Sequence, residues 1–284
     1  MKILITGSQG QLGTELNQIL TGAYPAGTVV TTDIDSLDLT DAKAVKNFIS
    51  AGDFSHIINC AAYTAVDKAE IEKSQCTAIN VDAVSNLAGA AADISAKLIH
   101  ISTDFVFDGN QNVPYKESDK TAPLSMYGAT KRRSETVALG LNPDTIVIRT
   151  GWLYSPHGSN FVKTILRLAT KDESIGVVYD QIGTPTYARD LANMIATIIA
   201  APQWLSGIYN YSNEGVASWY DFARAIIDIR GLNTMVKPLL TNEYPTQAKR
   251  PAYSVLDKNK IKATYQIEIP YWRDSLAECL KLMD

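Results

Sequence analysis

The chain has 284 residues, of which 46% are hydrophobic and 20% are charged. This length suffices for about two domains with a buried core, and the composition excludes a disordered or fibrous protein. With 26 Lys and Arg against 30 Asp and Glu, the formal net charge is −4. The chain lacks the basic excess that is typical of proteins that bind nucleic acids.

Met1 and Lys2 lead directly into Ile3-Leu4-Ile5 and then Gly7, so we expect no secretory signal, which needs a longer apolar segment and a small-residue cleavage site. The longest nearly apolar stretch, residues 191–201, is about half of the ~20 residues that a membrane-crossing helix needs. We therefore expect a cytoplasmic protein with no membrane span.

In the first half of the chain, short runs of strand-forming residues alternate with segments of helical periodicity. The predicted strands are Lys2–Thr6, Thr28–Asp33, His56–Cys60, Lys97–Thr103 and Thr145–Thr150. This alternation is typical of βαβ units, so we predict an α/β fold of the Rossmann type with a doubly wound parallel sheet. Ligands of such sheets bind where the strands end at their carboxyl edge.

After Gly151 the alternation loosens. Helices are predicted near 161–169, 188–199 and 219–229 and from Trp272 onward, and strands near 175–179 and 208–211. We predict that residues 1–150 and about 175–205, which return to the sheet, form a first domain. Residues 151–174 and about 206–284 are predicted to form a smaller α/β domain.

The three cysteines and three histidines lack the spacing of metal ligands and suggest no disulfide framework. Cys60 and His100 lie within apolar runs, so we expect them to be buried strand residues. No metal site is predicted.

The first strand runs into Gly7-Ser8-Gln9-Gly10-Gln11-Leu12-Gly13, where an amphipathic helix begins. Glycines here allow a tight turn and let the backbone approach a pyrophosphate, while the helix N-terminus supplies N–H donors. Because the loop joins the first strand to the first helix of a βαβ unit, it predicts a dinucleotide site in the first domain.

The second strand ends at Asp33, whose carboxylate can accept hydrogen bonds from a ribose hydroxyl and would repel a 2′-phosphate. This favours NADH, and no arginine follows directly to favour NADPH. Thr31 and Thr32 could nevertheless satisfy a phosphate, so the choice between NADH and NADPH stays open.

Tyr127 and Lys131 are four residues apart on a predicted helix, so their side chains share a face. A neighbouring ammonium is expected to lower the tyrosine pKa and prepare the phenol for proton exchange with a carbonyl oxygen. The fourth strand ends in Ser102-Thr103 at the same edge, where a hydroxyl can orient the substrate. Tyr127, Lys131 and Thr103 are the candidate catalytic residues.

These features, in this order and spacing, resemble the extended short-chain dehydrogenase/reductases, and most closely the dTDP-4-dehydrorhamnose reductase family. The resemblance rests on blocks over nearly the whole chain, namely 60–70, 102–109, 149–154, 160–164, 180–186 and 250–256. It implies NAD(P)H-dependent reduction of the C4 keto group of dTDP-4-dehydro-L-rhamnose.

The resemblance also implies site residues. Tyr127 would be the proton donor, and the sugar would contact Thr103, Asp104 and Trp152. The residues assigned to the dinucleotide are Gly7, Gly10, Gln11, Leu12, Gly13, Asp33, Asp38, Leu39, Ala61, Ala62, Tyr63, Thr64, Tyr127 and Lys131. Some relatives are associated with Mg²⁺, for which Glu15 and Asp190 are conceivable ligands, but both suit exposed helix positions equally well and no catalytic metal is expected.

The predicted partner is a small nucleotide sugar, with no nucleic acid and no membrane; a homodimer is left open. Its pyrophosphate suits Arg250, in a Pro-rich loop of the second domain, because a planar guanidinium can bond two phosphate oxygens at once. The alternatives are another sugar-nucleotide epimerase or reductase and a non-catalytic regulatory subunit. A 4,6-dehydratase is disfavoured, because Phe105 follows Asp104 where that family typically has a glutamate.

Overall fold

The structure is a computed structural model that describes residues 1–283. Its strands are β1 (Ile3–Thr6), β2 (Val29–Thr32), β3 (His56–Asn59), β4 (Lys97–Thr103), β5 (Thr145–Thr150), β6 (Leu153–Tyr154), β7 (Ser174–Val178), β8 (Ile182–Gly183), β9 (Thr186–Tyr187), β10 (Gly207–Asn210), β11 (Ala217–Ser218) and β12 (Met235–Leu239). Its helices are α1 (Gln11–Ala23), α2 (Ala42–Gly52), α3 (Val66–Ala69), α4 (Lys73–Thr77), α5 (Ala83–Asp93), α6 (Met126–Leu141), α7 (Phe161–Ala169), α8 (Ala188–Ala200), α9 (Trp219–Ile229), α10 (Asn259–Tyr265) and α11 (Trp272–Lys281).

Six strands form one parallel sheet in the order β10-β5-β4-β3-β1-β2. The chain enters at β1, moves outward to β2 and then crosses to β3 on the other side. This reversal opens a crevice at the carboxyl ends of β1 and β3, directly beside the glycine loop. The predicted doubly wound α/β fold is confirmed.

Helices cover both faces of the sheet. Because side chains alternate along a strand, Ile3 and Ile5 of β1 pack on one face with α1 and α8, while Leu4 packs on the other with α2 and α5. Strands buried on both faces need a continuous apolar run, which is how these segments were recognised in the sequence. Within residues 1–283, no helix is long and apolar enough to cross a membrane.

Helices α7, α9 and α11 share a separate buried cluster with the short strands β7, β11 and β12. Two strand placements differ from the prediction. Strand β7 pairs with β12 in a small sheet instead of returning to the main one, and β10, expected in the second domain, forms the edge of the main sheet beside β5. The apolar side chains of β7 pack with α9, whereas α8 lies on α1 and delivers the chain to the free edge of β5. The domain boundaries themselves stay a prediction.

A buried ion pair lies beneath the carboxyl edge of the sheet. Arg149 of β5 bonds both carboxylate oxygens of Glu135 on α6, with Nε–Oε1 2.7 Å and Nη2–Oε2 2.8 Å. The hydroxyl of Ser102 on β4 donates to the same carboxylate at 2.7 Å. These bonds hold α6 against β4 and β5.

Glu135→Ala should lower the free energy of unfolding by about 3–5 kcal/mol, because it leaves the Arg149 guanidinium as an unpaired buried charge. Urea unfolding followed by circular dichroism measures the loss. The matched control is Lys46→Ala, which breaks the exposed Lys46–Asp93 pair and should cost below about 1 kcal/mol. A loss for Glu135→Ala as small as that of the control would contradict the prediction.

Candidate active site

The glycine loop is shaped by close backbone approach. Gly7 has φ +64°, and a Cβ there would lie 2.6 Å from the Ala61 nitrogen. A Cβ on Gly13 would lie 2.3 Å from the Gly7 carbonyl oxygen. Any larger residue at either position would push α1 and the end of β3 away from the turn, so this bare cradle at the N-terminus of α1 fits a dinucleotide pyrophosphate.

A first cavity of about 390 Å³ extends from this loop across the ends of β1 and β2. Of the residues assigned to the dinucleotide, it is lined by Gly7, Gly10, Asp33, Asp38, Leu39, Ala61 and Ala62. The Asp33 carboxylate accepts the backbone N–H groups of Gln9 and Ile34, each at 2.9 Å, and so ties the glycine loop to the end of β2. Hydrogen bonds from Thr40 lower the pKa of Asp38.

A second cavity of about 660 Å³ continues from the other side of the loop. It brings together Gly7, Gly10, Gln11, Leu12, Gly13, Ala62, Thr64, Thr103, Asp104, Tyr127, Lys131, Trp152 and Arg250. Tyr63, in contrast, directs its hydroxyl to Glu72 at 2.5 Å. The three catalytic candidates therefore share one cavity with the residues assigned to the sugar.

Tyr127 lies in the first turn of α6 and lines the second cavity together with Thr103, whose hydroxyl donates to the Asp104 carboxylate at 3.1 Å. Burial raises the Tyr127 pKa to about 12. The expected lowering by Lys131 is therefore wrong for this structure, because burial dominates and the ammonium donates to the Ile101 carbonyl at 2.6 Å. A phenol with a raised pKa keeps its proton at neutral pH, as a proton donor must.

Lys131 is only 2% exposed, and burial lowers its pKa to about 8. Its Nζ lies 3.4 Å from Nε2 of His100, which is also 2.8 Å from the Ser134 hydroxyl. Nδ1 of His100 lies 3.2 Å from the Asn59 amide. Burial lowers the His100 pKa well below its usual value, so the ring is neutral. His100 is buried, as expected. The sequence did not show that His100 contacts Lys131, because the two residues are 31 positions apart and meet only in the folded chain.

Cys60 is half-buried rather than buried, and it lines both cavities. Burial of its sulfur raises the pKa to about 12, so it remains a thiol.

Trp152 forms a flat wall of the second cavity. Its φ of +51° is rare for a residue with a side chain. Its ring stacks on Trp219 with centroids 3.5 Å apart, and a Cβ on Gly183 would meet the ring at 2.7 Å. Trp219 was missed by the sequence analysis, where the only signal was its position at the start of a predicted helix.

Asp104 lines the same cavity and is 2% exposed. Burial raises its pKa to about 6, and hydrogen bonds from Ser254 and Thr103 act in the opposite direction. The Asp104 carboxylate lies directly against Gly151. A Cβ added to Gly151 would lie 2.6 Å from a carboxylate oxygen of Asp104.

The residues considered for Mg²⁺ have protein partners. Glu15 accepts a hydrogen bond from Arg189 at 2.9 Å. Asp190 accepts from Asn213 at 2.6 Å and from Ser275 at 2.5 Å. Among residues 1–283, no three His, Cys, Asp or Glu side chains gather into a metal-ligand set.

The parallel sheet, the glycine cradle and the Tyr127–Lys131 pair define the class of dinucleotide-dependent oxidoreductases with the short-chain dehydrogenase/reductase fold. Residues 1–284 match the family described as RmlD substrate binding domain. A dTDP-4-dehydrorhamnose reductase from Aggregatibacter actinomycetemcomitans is 42% identical, with 97% of each chain covered. The chain belongs to this family, which confirms the resemblance seen in the sequence.

Two solved structures resemble this structure over nearly its whole length. A dTDP-4-dehydrorhamnose reductase from Clostridium acetobutylicum has a TM-score of 0.95 and 41% identity, covering 100% of this chain and 99% of its own. A dTDP-4-dehydrorhamnose reductase from Bacillus anthracis in complex with NADP has a TM-score of 0.95 and 37% identity, covering 99% of both chains.

The raised pKa of Asp104 predicts a pH-dependent stability. Because its pKa moves from 3.8 to about 6 on folding, the native state holds the proton more tightly, and this group destabilises the fold progressively as pH rises through that range. Asp104→Asn removes the buried charge, so its Tm relative to the unmodified chain should be higher at about pH 8 than at about pH 4. Thermal unfolding at both pH values measures this, and a pH-independent difference would contradict it.

Proposed function

We propose that this protein reduces the C4 keto group of dTDP-4-dehydro-L-rhamnose to give dTDP-L-rhamnose, the final step of dTDP-rhamnose biosynthesis, with NADPH or NADH as reductant. The observation that carries the proposal is the second cavity, where the glycine cradle, Thr103, Tyr127 and the Trp152 wall meet. The similarity to named reductases along the whole chain supports the choice of substrate.

The first cavity holds the adenosine half of the dinucleotide, and the nicotinamide half extends past the glycine loop into the second cavity. The N–H groups at the start of α1 bind its pyrophosphate, and Asp33 accepts a hydrogen bond from the adenosine ribose. Each carboxylate oxygen has a second lone pair, so the bonds from Gln9 and Ile34 leave this capacity intact. Lys131 binds the other ribose. When bound, the reduced nicotinamide supplies a hydride to C4.

Tyr127 supplies the proton. As the C4 carbonyl π bond breaks and a C–H bond forms, the phenolic proton moves to the carbonyl oxygen, leaving an alcohol and a phenolate. Thr103, which lines the same cavity, orients that oxygen through its hydroxyl. The ammonium of Lys131, held by the Ile101 carbonyl and His100, stabilises the phenolate until it regains a proton from water.

Arg250 binds the pyrophosphate of the nucleotide sugar. It is partly buried in the wall of the second cavity, and its Nη1 and Nη2 atoms contact Asp67. Its Nε–H has no hydrogen-bond acceptor among residues 1–283. The edge formed by Nε–H and the second Nη2–H therefore suits two phosphate oxygens.

The second domain, residues 151–174 and about 206–284 without β10, supplies Trp152, Trp219 and Arg250 to this substrate site. A cytoplasmic location and a homodimer stay predictions.

Tyr127→Phe should lower kcat by on the order of 10²–10⁴, because it removes the proton donor while keeping the ring. Loss of NADPH absorbance with dTDP-4-dehydro-L-rhamnose measures kcat. A titration with NADPH followed by fluorescence tests whether the variant still binds the cofactor. Tyr179→Phe, at a residue 46% exposed, is the matched control and should leave both unchanged. A kcat within a few-fold of the unmodified enzyme would remove Tyr127 from this role.

Arg250→Ala should weaken dTDP binding roughly 10- to 150-fold, the usual cost of losing hydrogen bonds to a charged group. Calorimetric titration of dTDP measures the change, and NADPH affinity should hardly move. Lys249→Ala removes an exposed cation next in sequence and serves as control. Unchanged dTDP affinity in Arg250→Ala would exclude Arg250 from the site, and an equal loss of NADPH binding would indicate misfolding.

A further inference from the structure

We propose that helix α3 and the residue after it form a brace that positions both ends of the second cavity. Asp67 orients Arg250 toward the nucleotide end of the substrate, and Glu70 orients the helix turn that carries Tyr127. The inference rests on the proposed function, which gives Arg250 and Tyr127 their tasks.

The brace stands at the cavity itself. Val66, the first residue of α3, lines the same cavity as Tyr127 and Arg250. Asp67 and Glu70 follow within four residues, and each bonds a partner far away in the chain. The separations are 183 residues for Asp67–Arg250 and 56 for Glu70–Met126. A short helix that needed only local stability would not require either contact.

At the nucleotide end, Asp67 holds the Arg250 guanidinium in one plane. The bonds are Nη2–Oδ2 at 2.8 Å and Nη1–Oδ1 at 3.2 Å, and Oδ1 also accepts the Ala248 N–H at 3.0 Å. The hydrogen bond from Arg250 lowers the pKa of Asp67, so the carboxylate stays ionised at neutral pH. Because the two Nη atoms are held this way, the orientation of the remaining Nε edge is set before a phosphate arrives, which reduces the cost of ordering it.

At the proton-donor end, Glu70 caps α6 from outside the helix. Its Oε1 accepts the N–H of Met126, the first residue of α6, at 2.7 Å. At the N-cap of α6, the Ser125 hydroxyl accepts the Gly128 N–H at 3.2 Å. These two bonds satisfy open N–H groups on either side of Tyr127. Loss of the outer one lets the first turn shift, and a misplacement of about 1 Å can cost about 10²-fold in rate.

The Glu70 arm is tested by the split between kcat and KM. Glu70→Ala should lower kcat roughly 10- to 100-fold, with KM for the nucleotide sugar and the NADPH stoichiometry nearly unchanged. Glu70→Gln should restore kcat to within a few-fold, because its amide oxygen can still accept the Met126 N–H. Lys68→Ala, at an exposed residue of the same helix, is the control and should behave like the unmodified enzyme.

The Asp67 arm is tested by a double-mutant cycle on dTDP affinity. Asp67→Ala should weaken dTDP binding about 10-fold, the size of a typical charge-assisted hydrogen bond, with kcat at saturation within a few-fold. Made in the Arg250→Ala background, the same change should have no further effect, because Asp67 acts through Arg250. An undirected loss of stability would weaken binding equally in both backgrounds.

Either arm can overturn the brace. It fails if Glu70→Gln is as slow as Glu70→Ala, if Glu70→Ala loses NADPH binding in proportion to kcat, or if the effect of Asp67→Ala persists without Arg250. An active unmodified enzyme that the Asp67 and Glu70 variants all match would reject the brace alone. An unmodified chain that neither binds dTDP nor reduces the keto sugar would reject the proposed function and the brace together.

Discussion

The buried ammonium of Lys131 is the constraint on which the active site depends. A charge out of contact with water is costly unless it is compensated, and Lys131 is only 2% exposed. Its compensation comes from the Ile101 carbonyl and from the carboxylate of Glu135 one helical turn away. Glu135 is in turn held by Arg149. The Lys131 ammonium and the Arg149–Glu135 ion pair therefore belong to one electrostatic arrangement between α6, β4 and β5.

The same burial moves two pKa values in opposite directions. It raises that of Tyr127 to about 12 and lowers that of Lys131 to about 8, because in both cases the neutral form is favoured. A phenol that starts neutral and becomes a phenolate needs a cation nearby only after it has released its proton. An ammonium bound to a backbone carbonyl, rather than to the phenol, provides that cation without removing the proton beforehand.

The sequence was informative where a local pattern determines structure. Apolar runs and the spacing of Gly7, Gly10 and Gly13 predicted the central strands and the cradle, since both depend on neighbours in the chain. It could not show that β7 joins β12 while β10 joins β5, because an apolar run does not specify its sheet. The Trp152–Trp219 stack and the partners of Asp67 and Glu70 depend on contacts between distant parts of the chain. The pKa of Tyr127 depends on burial. Neither can be predicted from a local sequence pattern.

Asp33 has a structural role beside the cofactor role that its position in the sequence suggests. Read from sequence, an acidic residue at the end of β2 favours NADH, because it would repel a 2′-phosphate. In the structure its carboxylate accepts two backbone N–H groups, one of them from the glycine loop. Asp33 can hold the glycine loop with either cofactor. An aspartate at this position therefore says less about whether the ribose carries a 2′-hydroxyl or a 2′-phosphate. The turn from Asp33 to Thr40, where Asp38 is tied to Thr40 at 2.7 Å, borders the same cavity, so Asp33 is one of several groups that a ribose bound there could meet.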